Sequence, residues 1–594
     1  MSSRNRRKAN ARPTPVGGKS AAAFARGKQR PQRLFAQGGW PYRAVCYAAY
    51  AVMLVAVLGG FDFVRTYGVN LFWADDWIRV PMLSDYFAGT LTPTTFWELQ
   101  NEHRIVFPKA VMLVLDLLTK GNVVADMYVG EVLLAAILVI FVAAFRRHFR
   151  GGPAIWLMAP MAFLVFSLRQ YENMLWGFQI GFFMVVAAAL AAFFGLSALK
   201  NERYAWIFGG TLLASTVAAF SSIHGLLVWP VGLGQLFIAP LGRRLKIVLS
   251  AVWATIGAAE WSVYFIGWTK PTYHPPIGFS WRYLATIVGA ALTTRDTMAL
   301  WAGVLLLVLT AAALAIVFFK RQWPEQSFWL ATMAFTLGSL GAITAGRSGF
   351  TEAFALTSRY ATASIPLVVA IYAIFASQSA KKLNMIGISL MSVVLVMAVA
   401  GTADSFVEGR KEGGSTRTFR NWQQVVIATI DSQPDAMIQV YRPPLSFIRQ
   451  SVAFLKERGY SLFAYPDLCA RCQLPDPSLP TIAATTRCGI FGPVSIFNLR
   501  ALLIRGWAVD WPAGDAAGGV TVLIDGVAYP AYYGSPNDEV AKMLGSDKFL
   551  LSEFQCGVPT KDVKSGSHRI VVKVLTHDRK AYFQPDEEFE FLTP

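Results

Sequence analysis

Long apolar runs separated by short polar connections occupy residues 45–402, and the pattern changes character beyond them. A helix needs roughly 20 predominantly apolar residues to cross the hydrocarbon core of a bilayer. Runs of that kind lie near 45–63, 123–144, 153–168, 180–199, 204–221, 223–240, 247–266, 297–319, 327–345, 360–379 and 384–402, predicting about eleven transmembrane helices. The first run starts far from the N-terminus and is followed by GGFDFVRTYG rather than a small-residue cleavage site, so it reads as an uncleaved anchor. After 402, WQQVVIATI and LSFIRQSVAFLKERGYSLFA keep a helical period, the second stopping at Gly459. LRALLIRGWAVDWP, GGVTVLIDGVAYPA and HRIVVKVLTHD then alternate polar and apolar positions between Gly, Pro and Asp breaks, predicting a small β-sandwich. The expected organisation is a tail (1–42), a polytopic α-helical membrane domain (43–402), a mixed α/β segment (403–498) and the sandwich (499–594).

Composition narrows the class. Of 594 residues, 54% are apolar and only 15% charged, which excludes an ordinary soluble enzyme. The net charge of +18 is mostly one feature: residues 1–43 hold eleven Lys and Arg and no acid, leaving +7 for the rest. The basicity therefore marks a disordered cytoplasmic tail and not a nucleic-acid surface. RRHFR (146–150), KNER (200–203), GRRLK (242–246), KR (320–321) and KK (381–382) fall at every second connection, on the tail's side. The positive-inside bias then puts the alternate connections, and everything after 402, outside the cell. Four of the five cysteines, Cys469, Cys472, Cys488 and Cys556, lie in that outer segment, where one or two structural disulfides are expected, with all three pairings open. Cys46 falls in the first span and reads as inert.

The outer loops carry the candidate chemistry. In the first, Asp75 and Asp76 stand between Trp73 and Trp77; they suit a helix start as well as a site. As neighbours they cannot share one helix face, so one can serve a site while the other caps or binds a cation. NEHR brings Glu102, His103 and Arg104 close to Lys109, ahead of VFPKAVMLVLDLL, an amphipathic run expected to lie on the membrane surface. SLRQYENMLWGFQIG (167–181) crowds Arg169, Gln170, Glu172, Asn173 and Gln179 at the bilayer boundary, where polar groups serve a site or a helix contact. His224 follows Ser221 and Ser222 in the third outer connection. The loop 267–296 is long, partly apolar and expected to re-enter or lie on the membrane; it contributes Lys270, His274, Arg282 and Arg295. TAGRSGFTEAFALTSRYATAS supplies Arg347, Glu352, Arg359 and Tyr360. An arginine at the depth of Arg359 needs an anionic partner or snorkels to the interface, and a lipid phosphate is the obvious partner. Acids, amides and arginines thus gather on one side, which suits a carboxylate base and a cationic phosphate contact. A lipid-linked glycan flippase would have charges distributed through the middles of the spans, whereas most strong polar groups here cluster at the outer ends. A non-catalytic envelope assembly protein would need only the β domain. No nucleotide-binding fingerprint is present.

The uncleaved first span, FWADDW beyond it and the surface-helix loop before the second span resemble the GT-C superfamily of polytopic bacterial glycosyltransferases, among them the aminoarabinose and arabinofuranosyl transferases. The resemblance covers about 43–402. It implies a monomeric, inverting glycosyltransferase of the bacterial cytoplasmic membrane, acting on its outer face. The donor would be a polyprenyl-phosphate sugar and the acceptor an envelope glycan or glycolipid. It implies Asp75 or Asp76 as base, Asp75 favoured with Asp76 as helper, and both as candidate ligands of a divalent cation, Mg2+ or Mn2+. SRY would make Arg359 the lipid-phosphate contact, with Arg347 a second candidate. The β domain resembles carbohydrate-binding modules fused to such enzymes.

Overall fold

The computed structural model describes residues 40–148, 153–200, 204–379, 385–432, 438, 443–465, 475–476, 478–491, 495–497 and 501–593. The expected tail, and Cys469 and Cys472, lie outside the described residues, apart from the last few tail positions.

The protein is mostly helical. Among the described residues, eight helices are long and apolar enough to cross a membrane: Arg43–Tyr67, Val123–Arg146, Gly177–Ser197, Arg243–Tyr264, Asp296–Phe319, Ser327–Arg347, Ser358–Ser379 and Met385–Ala428. The other three expected spans are shorter. Tyr204–Ala219 and Ile223–Ile238 are short apolar helices, and 153–168 divides into a 3-10 turn, Pro153–Met158, and the helix Ala159–Val165. Pro160 explains that division, because proline is accommodated in the first turn of a helix but not in its interior. Ser358–Ser379 is apolar all round and buried all round, so it forms the centre of the bundle. Helices around it keep exposed apolar faces, such as Leu54, Val55 and Leu58, or Met298, Trp301 and Val308, which suit lipid rather than water. The 267–296 connection contains the helix Trp281–Gly289, buried from Tyr283 onward and packed along Asp296–Phe319.

One helix passes through the expected boundary at 402. Met385–Ala428 runs unbroken for 44 residues, about 66 Å at 1.5 Å per residue, and carries WQQVV out of the bundle on the span's own axis. Its interior glycines are tolerated because neighbours occupy the space of a side chain: Gly409 lies on Leu168, and Gly413 on Phe63 and Tyr67.

The β-rich region begins at Thr481, ahead of the expected 499. Its strands are β1 (Thr481–Ile482), β2 (Cys488–Ile490), β3 (Ser495–Phe497), β4 (Ala501–Asp510), β5 (Asp515–Ala516), β6 (Gly519–Ile524), β7 (Val527–Ser535), β8 (Glu553–Pro559), β9 (Gly566–Leu575), β10 (Tyr582–Phe583) and β11 (Glu588–Thr593). They join edge to edge as β1-β10-β9-β6-β7-β8-β4-β2, with β11 on β9 and β3 and β5 on β4. The two halves are thus one sheet continuous through β7, folded around a shared core that includes Ile504, Val522, Phe554 and Val572. Asp525 and Gly526, at φ 50° and 85°, make the two-residue turn that joins β6 to β7. The expected disulfides are not found among the described residues: Cys488 and Cys556 are free thiols. They lie on strands either side of β4, opposite Ala508 and Ile504, too far out of step to bond.

Near its end the long helix docks on this sheet. Trp422 lies so close to Gly557 of β8 that any Cβ there would overlap the indole. Trp422 and Val426 share a core with Phe72 and Trp77 of the first loop, with Ile448 and Val452 of Leu445–Arg458, and with Leu503. The first loop is therefore held between the bundle and the C-terminal region.

Candidate functional site

The chain leaves Arg43–Tyr67, becomes extended at Trp73 and forms a 3-10 turn, Ala74–Ile78. That turn sends the two aspartates to different places. Asp76 is 1% exposed; its carboxylate accepts from Trp176 Nε1 at 3.0 Å and from the Trp73 backbone N–H at 3.3 Å. Arg79, fully buried, lies 3.3 Å from Asp76, 2.9 Å from Asp116 and 3.0 Å from Asp126. One guanidinium thus joins four elements: the turn, its following helix Arg79–Ala88, the amphipathic helix Val106–Thr119 and the start of Val123–Arg146. Three carboxylates against one cation leave a formal charge of −2. Burial pushes Asp76 and Asp116 up to about 6, although Arg79 pulls both down. Burial also works against the charge on Arg79, and the three aspartates more than offset it.

A pH dependence follows. The folded protein holds protons on Asp76 and Asp116 between about pH 4, where aspartate titrates in an unfolded chain, and pH 6. Their contribution to stability is complete below about pH 4 and is lost as pH rises through 6. Asp116→Asn removes one of these groups, so the fall in melting temperature between pH 5 and 7.5 in detergent should be shallower than in the parent. Parallel curves for the two proteins would refute this account of the cluster.

Asp75 faces the opposite way, half-buried, accepting from Gln100 Nε2 at 3.1 Å. It lines two cavities. One, about 420 Å³, is bounded by Trp73, Ala74, Asp75, Glu172, Trp176, Tyr273, Arg359 and Pro443. The other, about 360 Å³, lies between the first loop and 443–447, and its wall includes Asp75, Asp85, Thr95, Glu98, Gln100, Lys109 and Phe447. In the first, Arg359 Nε lies 3.3 Å from Glu172, and the guanidinium carbon is 5.9 Å from the centre of the Trp176 ring. Both residues stand where spans begin, at Ser358 and Gly177.

The other sequence candidates divide into supports and separate clusters. Asn173 donates to the Arg359 carbonyl at 2.9 Å and to Thr362 at 2.7 Å; Thr362 donates to Gln170, which donates to the Val165 carbonyl. Arg169 binds the Leu356 and Thr293 carbonyls. These three hold the SRY segment from behind and line neither cavity. Tyr360 is buried against Phe354, and Gln179 is buried near the Trp176 turn. Arg104 is engaged by the carbonyls of Trp97, Tyr264 and Ile266, locking the first loop to Arg243–Tyr264. Lys109 borders the second cavity, with its ammonium donating to the Thr95 and Glu98 carbonyls at 2.9 Å each. Arg347 pairs with Glu102, which also meets His274 at 3.2 Å and His103 at 3.6 Å. Burial pushes Glu102 up, but His103, Arg347 and His274 together bring it below its ordinary value. His224 bonds Ser222 at 3.0 Å between the rings of Phe182 and Phe335. Neither Arg347 nor His224 lines either cavity.

The donor set does not fit the expected divalent cation. Asp76 is turned inward to Arg79 and Trp176 while Asp75 lines the cavities, and no group of three His, Cys, Asp or Glu among the described residues is placed to hold a metal. The residues passed over in the sequence are Arg79, Asp116 and Asp126 of the buried cluster and Asp85, Glu98 and Gln100 of the second cavity. The signal for two of them was available: Asp116 and Asp126 are lone acids in otherwise apolar runs, LVLDLL and VVADMYV.

No family model matches the chain, and no curated protein matches it.

Proposed function

We propose that the protein is a membrane glycosyltransferase that moves a sugar from a polyprenyl-phosphate donor to an envelope glycan acceptor. In this reading all eleven apolar segments cross the membrane, three of them as short helices. The basic connections face the cytoplasm, and Asp75 faces the outside with the β-rich region. The observation that carries the reading is that Asp75 is a shared wall of two cavities, of which, among the described residues, one also holds an arginine. A transferase needs that division, with donor phosphate and acceptor hydroxyl approaching one carboxylate from two sides.

Arg359 is the phosphate contact. It sits at the membrane end of the first cavity beside a single carboxylate, Glu172, at ion-pair distance, and a phosphate can take over that pairing with two parallel hydrogen bonds. Trp73 and Trp176 line the same cavity and give the sugar an aromatic wall. Asp75 takes the proton of the acceptor hydroxyl as its oxygen attacks the anomeric carbon. The bond to phosphate breaks, its electron pair leaves with the polyprenyl phosphate, and the anomeric configuration inverts. The donor set of Asp75 and Asp76 supports no step through a metal.

The test is purified full-length protein with radiolabelled polyprenyl-phosphate sugars and glycan acceptors. Arg359→Ala should lower kcat/KM for donor by about 10–100-fold, the loss of a charge-assisted contact, with Arg359→Lys recovering part of it. Undiminished turnover by Arg359→Ala would remove the phosphate assignment. Lipid appearing in the opposite leaflet with its sugar intact would make the protein a flippase instead.

A further inference from the structure

We infer that the second cavity selects an uncharged, hydroxyl-rich glycan as acceptor and excludes phosphate-bearing polymers. The inference rests on the glycosyltransferase reading and names the chemistry of its second substrate.

The two cavities differ in what they offer. The first opens beside the starts of two spans and contains Arg359. The second is bounded by the first loop and by Pro443 and Phe447 of the C-terminal region, so it lies on the side from which a water-borne chain arrives. Among the described residues its wall carries Asp75, Asp85 and Glu98, one lysine and no arginine. The Lys109 ammonium is drawn back onto the Thr95 and Glu98 carbonyls, leaving fewer of its donors for a ligand. The described wall residues therefore sum to a formal charge of −2, and their charged groups are chiefly hydrogen-bond acceptors. Carboxylates accept but do not donate when ionised, so they match sugar hydroxyls, which can donate to them. A phosphodiester offers only acceptors and negative charge and meets repulsion at each carboxylate. Gln100 adds an amide already committed to Asp75, which holds that carboxylate toward the cavity. A volume of about 360 Å³ accommodates one or two sugar rings at the end of a chain.

The experiment compares two acceptors of equal length, a neutral oligosaccharide and a phosphodiester-linked polyol, with the full-length protein and a polyprenyl-phosphate sugar. The neutral acceptor should be used at least tenfold better. In the double variant Asp85→Asn/Glu98→Gln, the ratio should fall toward one through improved use of the anionic acceptor, a gain that a damaged fold does not produce. Equal use of both acceptors by the parent protein, or an unchanged ratio in the variant, would overturn the inference while leaving donor cleavage intact. Absence of donor cleavage with either acceptor and in water would overturn the glycosyltransferase reading, and this inference with it.

Discussion

Asp75→Asn should lower sugar transfer by about 10²–10⁴-fold, the usual contribution of a positioned general base, while the melting temperature stays close to that of the parent. The substitution keeps the shape of the side chain and an oxygen for Gln100, and removes the charge that lets it take a proton. Its neighbour provides the contrast. Asp76→Asn acts on a buried group that faces Arg79 and Trp176, so its effect should appear mainly in stability and its pH dependence, with transfer reduced by about tenfold at most. Measuring initial rates and melting curves for both variants separates the two roles. Full activity of Asp75→Asn would end its assignment as base, whatever Asp76→Asn does.

Arg79→Ala should destabilise the protein by about 3–5 kcal/mol, the cost of leaving buried charge without its partner. Three carboxylates depend on this guanidinium, at 2.9, 3.0 and 3.3 Å, and none is more than 1% exposed. The loss should be seen as a lower melting temperature in detergent and as a smaller monodisperse yield after extraction. Arg79→Lys should recover little, since one ammonium cannot replace a planar fork directed at three acids. Raising the proton concentration should recover more: at pH 5 Asp76 and Asp116 are largely protonated, so the gap between Arg79→Ala and parent should narrow. An Arg79→Ala protein that melts with the parent at pH 7.5 would show that the cluster does not hold the first loop.

Much of the architecture was legible because bilayer solubility leaves its mark locally. A span needs a continuous apolar run, a strand alternates, and neither requires knowledge of a distant residue. The runs at 45–63, 123–144 and 297–319 and the alternation in GGVTVLIDGVAYPA therefore appear as helices and strands close to their expected positions. The helix runs on past 402 because the polarity change there marks the end of the apolar environment and not the end of the helix. Nothing in GTADSFVEGRKEGGSTRTFRNW stops a helix that is braced on Leu168, Phe63 and Tyr67. The disulfide expectation followed from compartment and count alone, whereas bonding depends on strand register, which keeps Cys488 and Cys556 apart.

The candidate site was legible as a composition and not as a geometry. By itself the sequence determined a polytopic helical protein, a basic N-terminal segment, a β-rich C-terminal region, and polar loops rich in acids and arginines at one end of the spans. Tertiary structure alone decided which of those polar groups face a cavity. It turned Asp76 in and Asp75 out through one 3-10 turn. It gave Arg359 a place in a cavity wall while closing Arg104 onto backbone carbonyls and Arg347 onto Glu102. The physical reason is that a side chain's chemistry is set by the neighbours that burial gives it. Asp75 and Arg359, brought to one cavity, stand 284 residues apart in the chain.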